Sequence, residues 1–401
     1  MKSVLIISCV FPPEQMVSAN ISYNIASQLS TWKHVIVLCP RPTRPFGFKF
    51  VENNKNENFE KIILSSYTSP KTNFLGRFVE SFSFGLHAAK FIEKNHREID
   101  FIYLNVWPIF AQYLIIKNAK KFGIRTILHI QDIYPESLTN RLPLFLRMPF
   151  FKLLLPFDKY ILREADIVIA ISRNMLNHLQ LIRNIELKKI RLVQNWQDEE
   201  TFLNLPEEKN NNISYSDREY FTFMYLGNIG PVAGVEFLIE SFVLSGLFNS
   251  RLVIAGNGSR KSSCILLAKK FPNEKIEFWD VPSGAVQQIQ NEADVMLLPV
   301  RTGGSASSIP SKLIAYMFSG KPIIASIDEN SDTADCIKEA KCGWVIEPEN
   351  TEELSISMNH VLGLDEDKLN LYGNNGKRFA TDNFSKKINL QKMISIFLQM
   401  N

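Results

Sequence analysis

A loop in the second half of the chain has the residue types that suit binding of a phosphate. It runs from Pro299 to Leu313, contains two glycines and a row of serines, and leads into a predicted helix with Lys312 in its first turn. Free backbone N–H groups at a helix amino terminus, with a lysine beside them, favour a diphosphate. Because ligands of doubly wound folds bind where strands end, this loop is the strongest candidate site. A mobile linker with a solvated lysine is the alternative.

Two shorter glycine turns follow predicted strands in the same half. One contains Gly227, Asn228 and Gly230, and the other contains Gly256. Glycines let backbone N–H groups approach a phosphate closely, and the dipole of a following helix adds partial positive charge. These turns are therefore candidate phosphate-binding elements, although each is a weak signal alone.

Acidic, basic and aromatic residues cluster at the end of a predicted strand in the first half. Within ten residues the chain carries His129, Asp132, Tyr134 and Glu136. Such groups are costly to bury without a function, so a position in a cleft is favoured, with Asp132 as the first catalytic candidate. Alternatively, the two acids cap the following segment and His129 is a satisfied core residue.

The turn after the opening strand, residues 10–15, is another candidate. A strand that feeds a loop and a helix amino terminus suits an anion or sugar hydroxyls, and Glu14 lies in this loop. A rigid proline turn explains Pro12 and Pro13 equally well. The absence of G-x-G-x-x-G argues against a dinucleotide site of that type.

The elements that position these residues alternate along the whole chain. Short apolar, β-branched runs predict strands, and the segments between them have helical period, as in parallel βαβ units. The predicted strands are 3–8, 34–38, 100–105, 125–130, 166–171 and 190–193, then 221–226, 251–255, 275–279, 294–299, 321–326 and 343–346. The predicted helices include 20–30, 109–122, 173–183, 235–244 and 311–319. This pattern predicts an α/β protein with two doubly wound, Rossmann-like domains that face each other across a cleft.

The domain boundaries follow from the same pattern. We predict a first domain at residues 1–196 and a second at residues 197–380, and the polar stretch 207–212 is a linker or surface loop. Residues 381–401 form a predicted amphipathic helix that crosses back to the first domain.

Composition excludes several classes of protein. Of the 401 residues, 45% are apolar and 21% are charged, which is typical of a folded globular protein and argues against disorder, collagen and coiled coil. We expect neither a membrane-spanning helix nor a signal peptide, and we predict a cytoplasmic protein. The five scattered cysteines predict reduced thiols and no structural zinc.

The charge is divided unevenly between the two halves. Residues 1–196 carry 26 Lys and Arg against 14 Asp and Glu, whereas residues 197–401 carry 19 against 27. The basic first half favours an anionic partner, either membrane lipid or nucleic acid. Nucleic acid is the weaker choice, because the cations are mixed with long apolar runs and no known reading module is present. Two solvated faces of different composition remain an alternative.

Short motifs spread over nearly the whole chain are together more specific than any one alone. They are Phe11-Pro12-Pro13-Glu14, Asp132-Ile133-Tyr134-Pro135-Glu136-Ser137, Ile171-Ser172, Gln194-Asn195-Trp196-Gln197-Asp198, Gly227-Asn228-Ile229-Gly230, and Ile309-Pro310-Ser311-Lys312 through Gly320-Lys321-Pro322. In this order and spacing the chain resembles bacterial glycosyltransferases of the GT-B fold, in glycosyltransferase family 4. More narrowly, it resembles the branch that adds N-acetylated amino-deoxysugars such as N-acetylfucosamine to O-antigen or capsule repeat units.

The resemblance implies an activity and its site residues. The activity is transfer of a sugar from a nucleotide sugar, UDP-linked, to a polyprenyl-diphosphate-linked saccharide, with retention of configuration and without a metal or resident cofactor. The catalytic residues implied are Lys312, Asp132 and Glu136. The donor-binding residues implied are Gly227, Asn228, Gly230, Gly256, Val281, Arg301, Gly303, Gly304, Ser305, Ser307, Ser311 and Lys312. Acceptor contacts are implied for Glu14, His129 and Ser172.

The chain also departs from the broader family at the donor site. Many members carry two glutamates eight residues apart, where this chain has Ser307 and Ala315. The usual Arg and Lys of the phosphate turn align with Asn228 and Ala233, so Lys312 and Arg301 are the cations that remain. Two other classes therefore stay open: a non-catalytic scaffold of this fold and a two-domain nucleotide-sugar epimerase.

A segment of the basic half resembles an interfacial membrane segment. Residues 141–155 interleave cations with aromatic and aliphatic residues, as peripheral membrane helices do. Further residues of this type are Phe74, Phe78, Phe82, Arg77, Lys90 and Lys94. We expect a peripheral position on the inner face of the plasma membrane, on anionic lipid; core packing is the alternative for any single apolar residue.

Overall fold

The computed structural model describes most of the chain in two compact units. The described residues are 2–14, 16–43, 57–69, 74–106, 109–140, 142–203, 219–282, 284–302 and 309–400. The N-terminal unit comprises Met1–Asn195 with Asn389–Asn401, and the C-terminal unit comprises Trp196–Ile388. The predicted linker at residues 207–212 lies outside the described residues.

The N-terminal unit is built on a sheet of seven parallel strands. The strands are β1 Ser3–Ser8, β2 Val35–Pro40, β3 Glu60–Leu64, β4 Ile99–Asn105, β5 Arg125–His129, β6 Ile167–Ala170 and β7 Ile190–Leu192. They lie in the order β3-β2-β1-β4-β5-β6-β7. The inner strands are continuous apolar runs because helices cover both faces of a parallel sheet. Six of these strands are predicted from the sequence; β3, mostly exposed at the sheet edge, is not.

Within the described ranges, six α-helices of this unit precede the C-terminal unit in the chain. They are α1 Val17–Leu29, α2 Phe74–Asn95, α3 Ile109–Lys121, α4 Glu136–Thr139, α5 Leu144–Glu164 and α6 Arg173–Leu181. Helices α2 and α3 approach closely at Gly85, where an added Cβ atom would lie only 2.8 Å from the Cα atom of Ala111. Phe78 is partly buried and packs against this core, with its ring centroid 5.3 Å from that of Phe110, so the core-packing alternative is favoured for this residue.

The C-terminal unit repeats the architecture with six parallel strands. They are β8 Phe221–Leu226, β9 Ser250–Ala255, β10 Ile276–Trp279, β11 Val295–Pro299, β12 Ile323–Ser326 and β13 Gly343–Ile346, in the order β10-β9-β8-β11-β12-β13. Its helices are α7 Glu200–Leu203, α8 Val235–Ser245, α9 Lys261–Ala268, α10 Val286–Asn291, α11 Ser311–Phe318, α12 Asp332–Ala340, α13 Thr351–Leu362 and α14 Glu366–Phe384. All six strands are predicted from the sequence, and the α/β class with two doubly wound domains is confirmed.

The last helix, α15 Lys386–Leu398, carries the chain from one unit to the other. Its Phe397 lies 5.7 Å from the ring of Phe101 and 5.6 Å from that of Tyr103, both on β4. Residues from Asn389 onward are therefore part of the N-terminal unit.

Strand order fixes where each unit can hold a ligand. In each sheet the order in which strands are added reverses once. The first strands extend the sheet toward one edge, and the chain then returns to place β4 beside β1 and β11 beside β8. Ligands of doubly wound sheets bind outside the carboxyl ends of the strands at such a switch point. No helix within the described ranges is long and apolar enough to cross a membrane.

Candidate functional site

Close backbone packing shapes the switch point of the C-terminal unit. The loop after β8 begins at Gly227, where any side chain would overlap the aliphatic stem of Lys312. A side chain at Gly256, after β9, would overlap the carbonyl oxygen of Gly227. Gly256 also has a φ of 130°, which side chains rarely adopt. These glycines therefore bring two loops and the start of α11 together.

Lys312 is the central charge of this site. Its Nζ donates a hydrogen bond of 2.7 Å to the hydroxyl of Tyr225 and lies 4.8 Å from the centre of that ring. The Tyr225 hydroxyl in turn donates to the carbonyl oxygen of Asn228 at 2.6 Å. Because Lys312 is partly buried, its pKa is lowered to about 8. Within the described ranges no carboxylate oxygen lies within 4.0 Å of Nζ, so an anionic ligand would compensate this charge.

Arg301 supplies a second cation where β11 ends. Its backbone N–H donates to the carbonyl of Val232 at 3.0 Å, and its Nε lies 3.5 Å from an oxygen of Glu349. A Cβ atom at Gly234, which has a φ of 61°, would lie 3.2 Å from the Arg301 side chain. Glu349 itself has a φ of 58°, a strained conformation for a non-glycine residue. The loops after β8, β11 and β13 thus meet at Arg301.

The other predicted donor residues have varied positions. Gly230 is in the turn beside Asn228, and Val281 is partly buried against the core after β10. Ser311 is exposed at the start of α11, and its carbonyl accepts a hydrogen bond of 2.6 Å from Gln197. Gly303, Gly304, Ser305 and Ser307 lie outside the described residues. Ala315 is buried in the core, as its apolar side chain requires.

Asp132 is half-buried just after β5 in the N-terminal unit. It lines a cavity of about 10 Å³ together with Asp158 and Arg183, which leaves room for about one water molecule and is too small for a sugar. Asp132 therefore borders a small, mostly apolar cavity that also contains two charged side chains, and this cavity is not a deep pocket.

Glu136 is held in an ion pair. Arg183 donates from Nη2 to both of its carboxylate oxygens, at 2.7 and 2.6 Å, and His178 Nε2 lies 3.3 Å from Oε1. Burial raises the pKa of Glu136, but the hydrogen bonds of His178 and Arg183 outweigh it and lower the pKa below the usual value. The carboxylate is thus ionised and already bound by side chains of its own unit.

The three predicted acceptor contacts are buried side chains. Glu14 accepts a hydrogen bond of 2.8 Å from the backbone N–H of Thr43, and Ser172 caps α6 by accepting from the N–H of Met175 at 3.2 Å. His129 is 1% exposed and hydrogen bonded through Nδ1 to the Tyr103 hydroxyl at 2.6 Å, and burial lowers its pKa to about 3. Each side chain has a structural partner, and an acceptor role stays a prediction.

Three residues at these sites escape sequence reasoning. They are Tyr225, Glu349 and Arg183. Each contacts a partner far away in the sequence; Tyr225 and Lys312, for example, are 87 residues apart. Only the position of Tyr225, two residues before a glycine turn, offers a sequence signal.

Two protein-family models match consecutive parts of the chain. Residues 19–201 match the model of Glycosyltransferase Family 4, and residues 206–379 match that of Glycosyl transferases group 1. The boundary between the matches falls close to the boundary between the two units.

Two curated relatives are distant glycosyltransferases by name. The probable glycosyltransferase WbjE of Pseudomonas aeruginosa is 22% identical over 281 residues, 67% of this chain and 67% of that protein. The putative colanic acid biosynthesis glycosyl transferase WcaI of Escherichia coli strain K12 is 24% identical over 255 residues, 61% of each. The chain thus spans about three fifths to two thirds of the length of these relatives.

A solved structure shares the fold over the full chain. The Anabaena protein Alr3699/HepE in complex with UDP aligns with a TM-score of 0.72 at 14% identity, covering 100% of both chains. The family models and this fold agree with the two doubly wound sheets described above. Each part of the chain is therefore similar to a glycosyltransferase family, family 4 first and group 1 second, and the fold is of the GT-B type.

Proposed function

We propose that this protein is a retaining glycosyltransferase of surface polysaccharide biosynthesis. It transfers an N-acetylated amino or deoxy sugar, as in the N-acetylfucosamine branch, from a UDP-linked donor to a polyprenyl-diphosphate-linked saccharide of a capsule or O-antigen. No resident cofactor or metal takes part. The bacterial relative named for colanic acid biosynthesis and the UDP bound to the Anabaena protein support this choice of pathway and donor.

The observation that carries the donor half is the uncompensated charge of Lys312. Negative charge develops on the diphosphate as the bond to the sugar breaks, and a fixed cation in a partly dry site stabilises it. Lys312 is held by Tyr225 over a glycine turn and has no carboxylate partner within the described ranges. Arg301 lies at the same switch point, where its weak pairing with the half-exposed Glu349 leaves it able to contact phosphate.

The acceptor half rests on the carboxyl end of β5. Asp132 is near the strand end at which doubly wound sheets hold ligands, and its carboxylate suits a contact with an acceptor hydroxyl. The Glu136 carboxylate is committed to Arg183, so we assign it to holding the loop and assign acceptor chemistry to Asp132.

A membrane-facing surface on α2 and α5 would bring the protein to a lipid-linked acceptor. The exposed apolar residues of α2 recur on one helix face, and those of α5 are concentrated in its first turns, with Leu75 76% and Phe145 77% exposed. These residues are Leu75, Val79, Phe82 and Leu86 on α2, and Leu144, Phe145, Met148 and Leu153 on α5. Exposed lysines at 90, 94, 152 and 159 lie on the same helices. Exposed apolar residues and lysines on the same helices fit an anionic membrane surface, so we propose a cytoplasmic protein peripheral to the plasma membrane.

Calorimetric titration tests the donor half first. UDP, GDP, ADP and dTDP are titrated into the protein, into Lys312→Met and into a control, Lys338→Met, whose lysine is exposed on α12 and pairs with Glu329. We expect selective binding of UDP that Lys312→Met loses and the control keeps. Absence of binding to any nucleotide would overturn the transferase proposal and favour a non-catalytic scaffold. Formation of an isomer from UDP-N-acetylglucosamine without acceptor would favour an epimerase.

Vesicle flotation tests the membrane surface. We expect binding to vesicles with anionic lipid and loss of that binding in the double variant Leu144→Ser/Phe145→Ser. Phe248→Ser is the matched control, because Phe248 is 87% exposed in the C-terminal unit. Equal binding to neutral and anionic vesicles, or equal loss in both variants, would overturn this part of the proposal.

A further inference from the structure

Four ionisable side chains, two of them buried and two partly buried, form a cluster beside the Asp132 loop. At its centre is Arg183, whose side chain is 2% exposed. Its Nε donates to Asp158 at 2.7 Å, and its Nη2 donates to Glu136 and to the backbone carbonyl of Tyr134 at 2.9 Å. His178 completes the cluster, 3.3 Å from Glu136.

The cluster joins three elements of the N-terminal unit. Glu136 begins α4, Asp158 is on α5, and His178 is on α6, just before Arg183 in the chain. One guanidinium therefore fixes two points of the segment that follows β5, the carbonyl at 134 and the side chain at 136, to a long helix. Asp132 lies two residues before the first of these points and lines the same small cavity as Arg183 and Asp158.

Stability alone does not require such a cluster. Burying a guanidinium costs several kcal/mol unless hydrogen bonds and charges compensate it, and well-packed apolar residues are often at least as stable as a buried ion pair. What Arg adds is geometry, because its planar fork holds several acceptors in fixed directions. Here every acceptor but one belongs to the loop that carries Asp132, and the remaining one, Asp158, anchors the fork.

We propose that Arg183, anchored by Asp158, is the positioning residue that holds segment 132–136 so that Asp132 meets the acceptor hydroxyl. This deepens the proposed function and rests on it for the role of Asp132. Arg183 itself touches no substrate; it acts through the loop.

The anchor should release in acid. Burial raises the pKa of Asp158 to about 6, while Arg183 and His178 favour its charged form and Glu136 opposes it. Protonation below that pH removes the negative charge of Asp158, and with it the charge–charge attraction to Arg183, and loosens the loop. An Asp158→Asn variant is already uncharged at every pH, so its transfer rate should lack an acid limb near pH 6.

Three measurements on the full-length protein test the proposal with Arg183→Lys, Arg183→Gln and Asp158→Asn. Arg163→Gln is the control, since Arg163 is exposed on α5 and pairs with Glu164. We expect amide hydrogen exchange in residues 131–140 to quicken about tenfold in Arg183→Gln, as loss of hydrogen bonds worth about 1.4 kcal/mol implies. UDP affinity, which depends on the other unit, should not change. The kcat/KM for the lipid-linked acceptor should fall by about 100-fold in Arg183→Gln, as expected for a small misplacement of a reacting group, and Arg183→Lys should recover part of it.

The outcomes separate this proposal from the proposed function. Unchanged exchange at 131–140 in Arg183→Gln, or equal effects in Arg163→Gln, would overturn the positioning role. Faster exchange with unchanged acceptor kinetics would overturn it too, because the loop position would then not matter to transfer. If the unmodified protein shows no transfer with any acceptor, the proposed function fails, and the exchange measurement alone decides whether Arg183 holds the loop.

Discussion

Each of the two units buries a cation, and the two cations have opposite electrostatic surroundings. Arg183 in the N-terminal unit is almost fully buried and is met by two carboxylates and a carbonyl. Lys312 in the C-terminal unit is partly buried and meets one phenol oxygen, with no carboxylate within 4.0 Å in the described part of the chain. Burial lowers the pKa of Lys312 to about 8, whereas the pKa of Arg183 is raised, because its carboxylate partners outweigh the effect of burial.

The difference supports the proposal that Arg183 is a structural charge and Lys312 a ligand-binding one. A buried cation without a counter-charge destabilises the fold, and removing one partner from a compensated cluster destabilises it as well. Arg183 is complete within its own unit, so its role is to hold loops. Lys312 has no carboxylate partner in the described part of the chain, which fits the proposed binding of a diphosphate.

The largest effect should follow replacement of Arg183 by methionine. The variant leaves the buried Asp158 and the partly buried Glu136 without their cation, so we expect the free energy of unfolding to fall by about 3 to 5 kcal/mol. Urea denaturation followed by circular dichroism measures it, with Arg163→Met as the exposed control. A loss below about 1 kcal/mol would mean that the cluster is not a structural charge and would break the comparison.

Lys312→Met should leave stability intact and lower the transfer rate. The change keeps the apolar stem over Tyr225 but removes an uncompensated charge, so we expect an unfolding free energy unchanged or higher by about 1 kcal/mol. The transfer rate should fall by about 100- to 1,000-fold, as for loss of one donor to a developing charge. Rate and stability are measured on one preparation, with Lys338→Met as control. A variant that is both active and less stable would assign Lys312 a structural role.

The pKa of Lys312 predicts a pH dependence in two observables. Between about pH 8 and its usual value of 10.5, the unfolded chain binds a proton here that the folded chain does not, so this group makes stability rise with pH in that window. UDP affinity should change the other way and fall about tenfold from pH 7 to pH 9, as the ammonium deprotonates. Titrations at several pH values check this. The same slope in Lys312→Met would show that another group is responsible.

Much of the fold is predictable because local sequence patterns indicate its strands and helices. Twelve of the strands in the described residues are short runs rich in apolar residues, flanked by helical period, and this alternation predicts the two doubly wound sheets that the structure has. The exposed edge strand β3 is missed because it is not apolar enough to stand out. Residues 141–155 predict an interfacial segment, but the structure has a helix, α5, that continues to Glu164 and buries Leu154, Ile161 and Leu162 in the core. A single sequence shows that a helix is amphipathic, but it does not show which part of the protein or solvent each face meets.

The candidate sites likewise have a part that the sequence predicts and a part that it does not. Lys312 and the glycine turns are predictable because strand, loop and helix start are neighbours in sequence. The partners that give Lys312 and Arg183 their different characters are not, since they lie 87 and up to 49 residues away. The residue types at Glu136, Glu14 and Ser172 suit catalysis or binding as well as they suit capping and ion pairing, and only the contacts distinguish these roles.

The smallest effect should come from Tyr225→Phe. The ring stays beneath the ammonium of Lys312, but the hydroxyl that links Lys312 to the carbonyl of Asn228 is lost. One lost hydrogen bond to a charged group is worth about 1 to 2 kcal/mol, so we expect UDP affinity to weaken by about 5- to 30-fold. Without its acceptor the ammonium is less stabilised, so the midpoint of the pH dependence should move below 8. Calorimetry at several pH values measures both, and Tyr372→Phe, beside Trp344 in the same unit, is the control. An unchanged midpoint would mean that Tyr225 supports the glycine turn alone, and that the state of Lys312 is set by burial without help from its one partner.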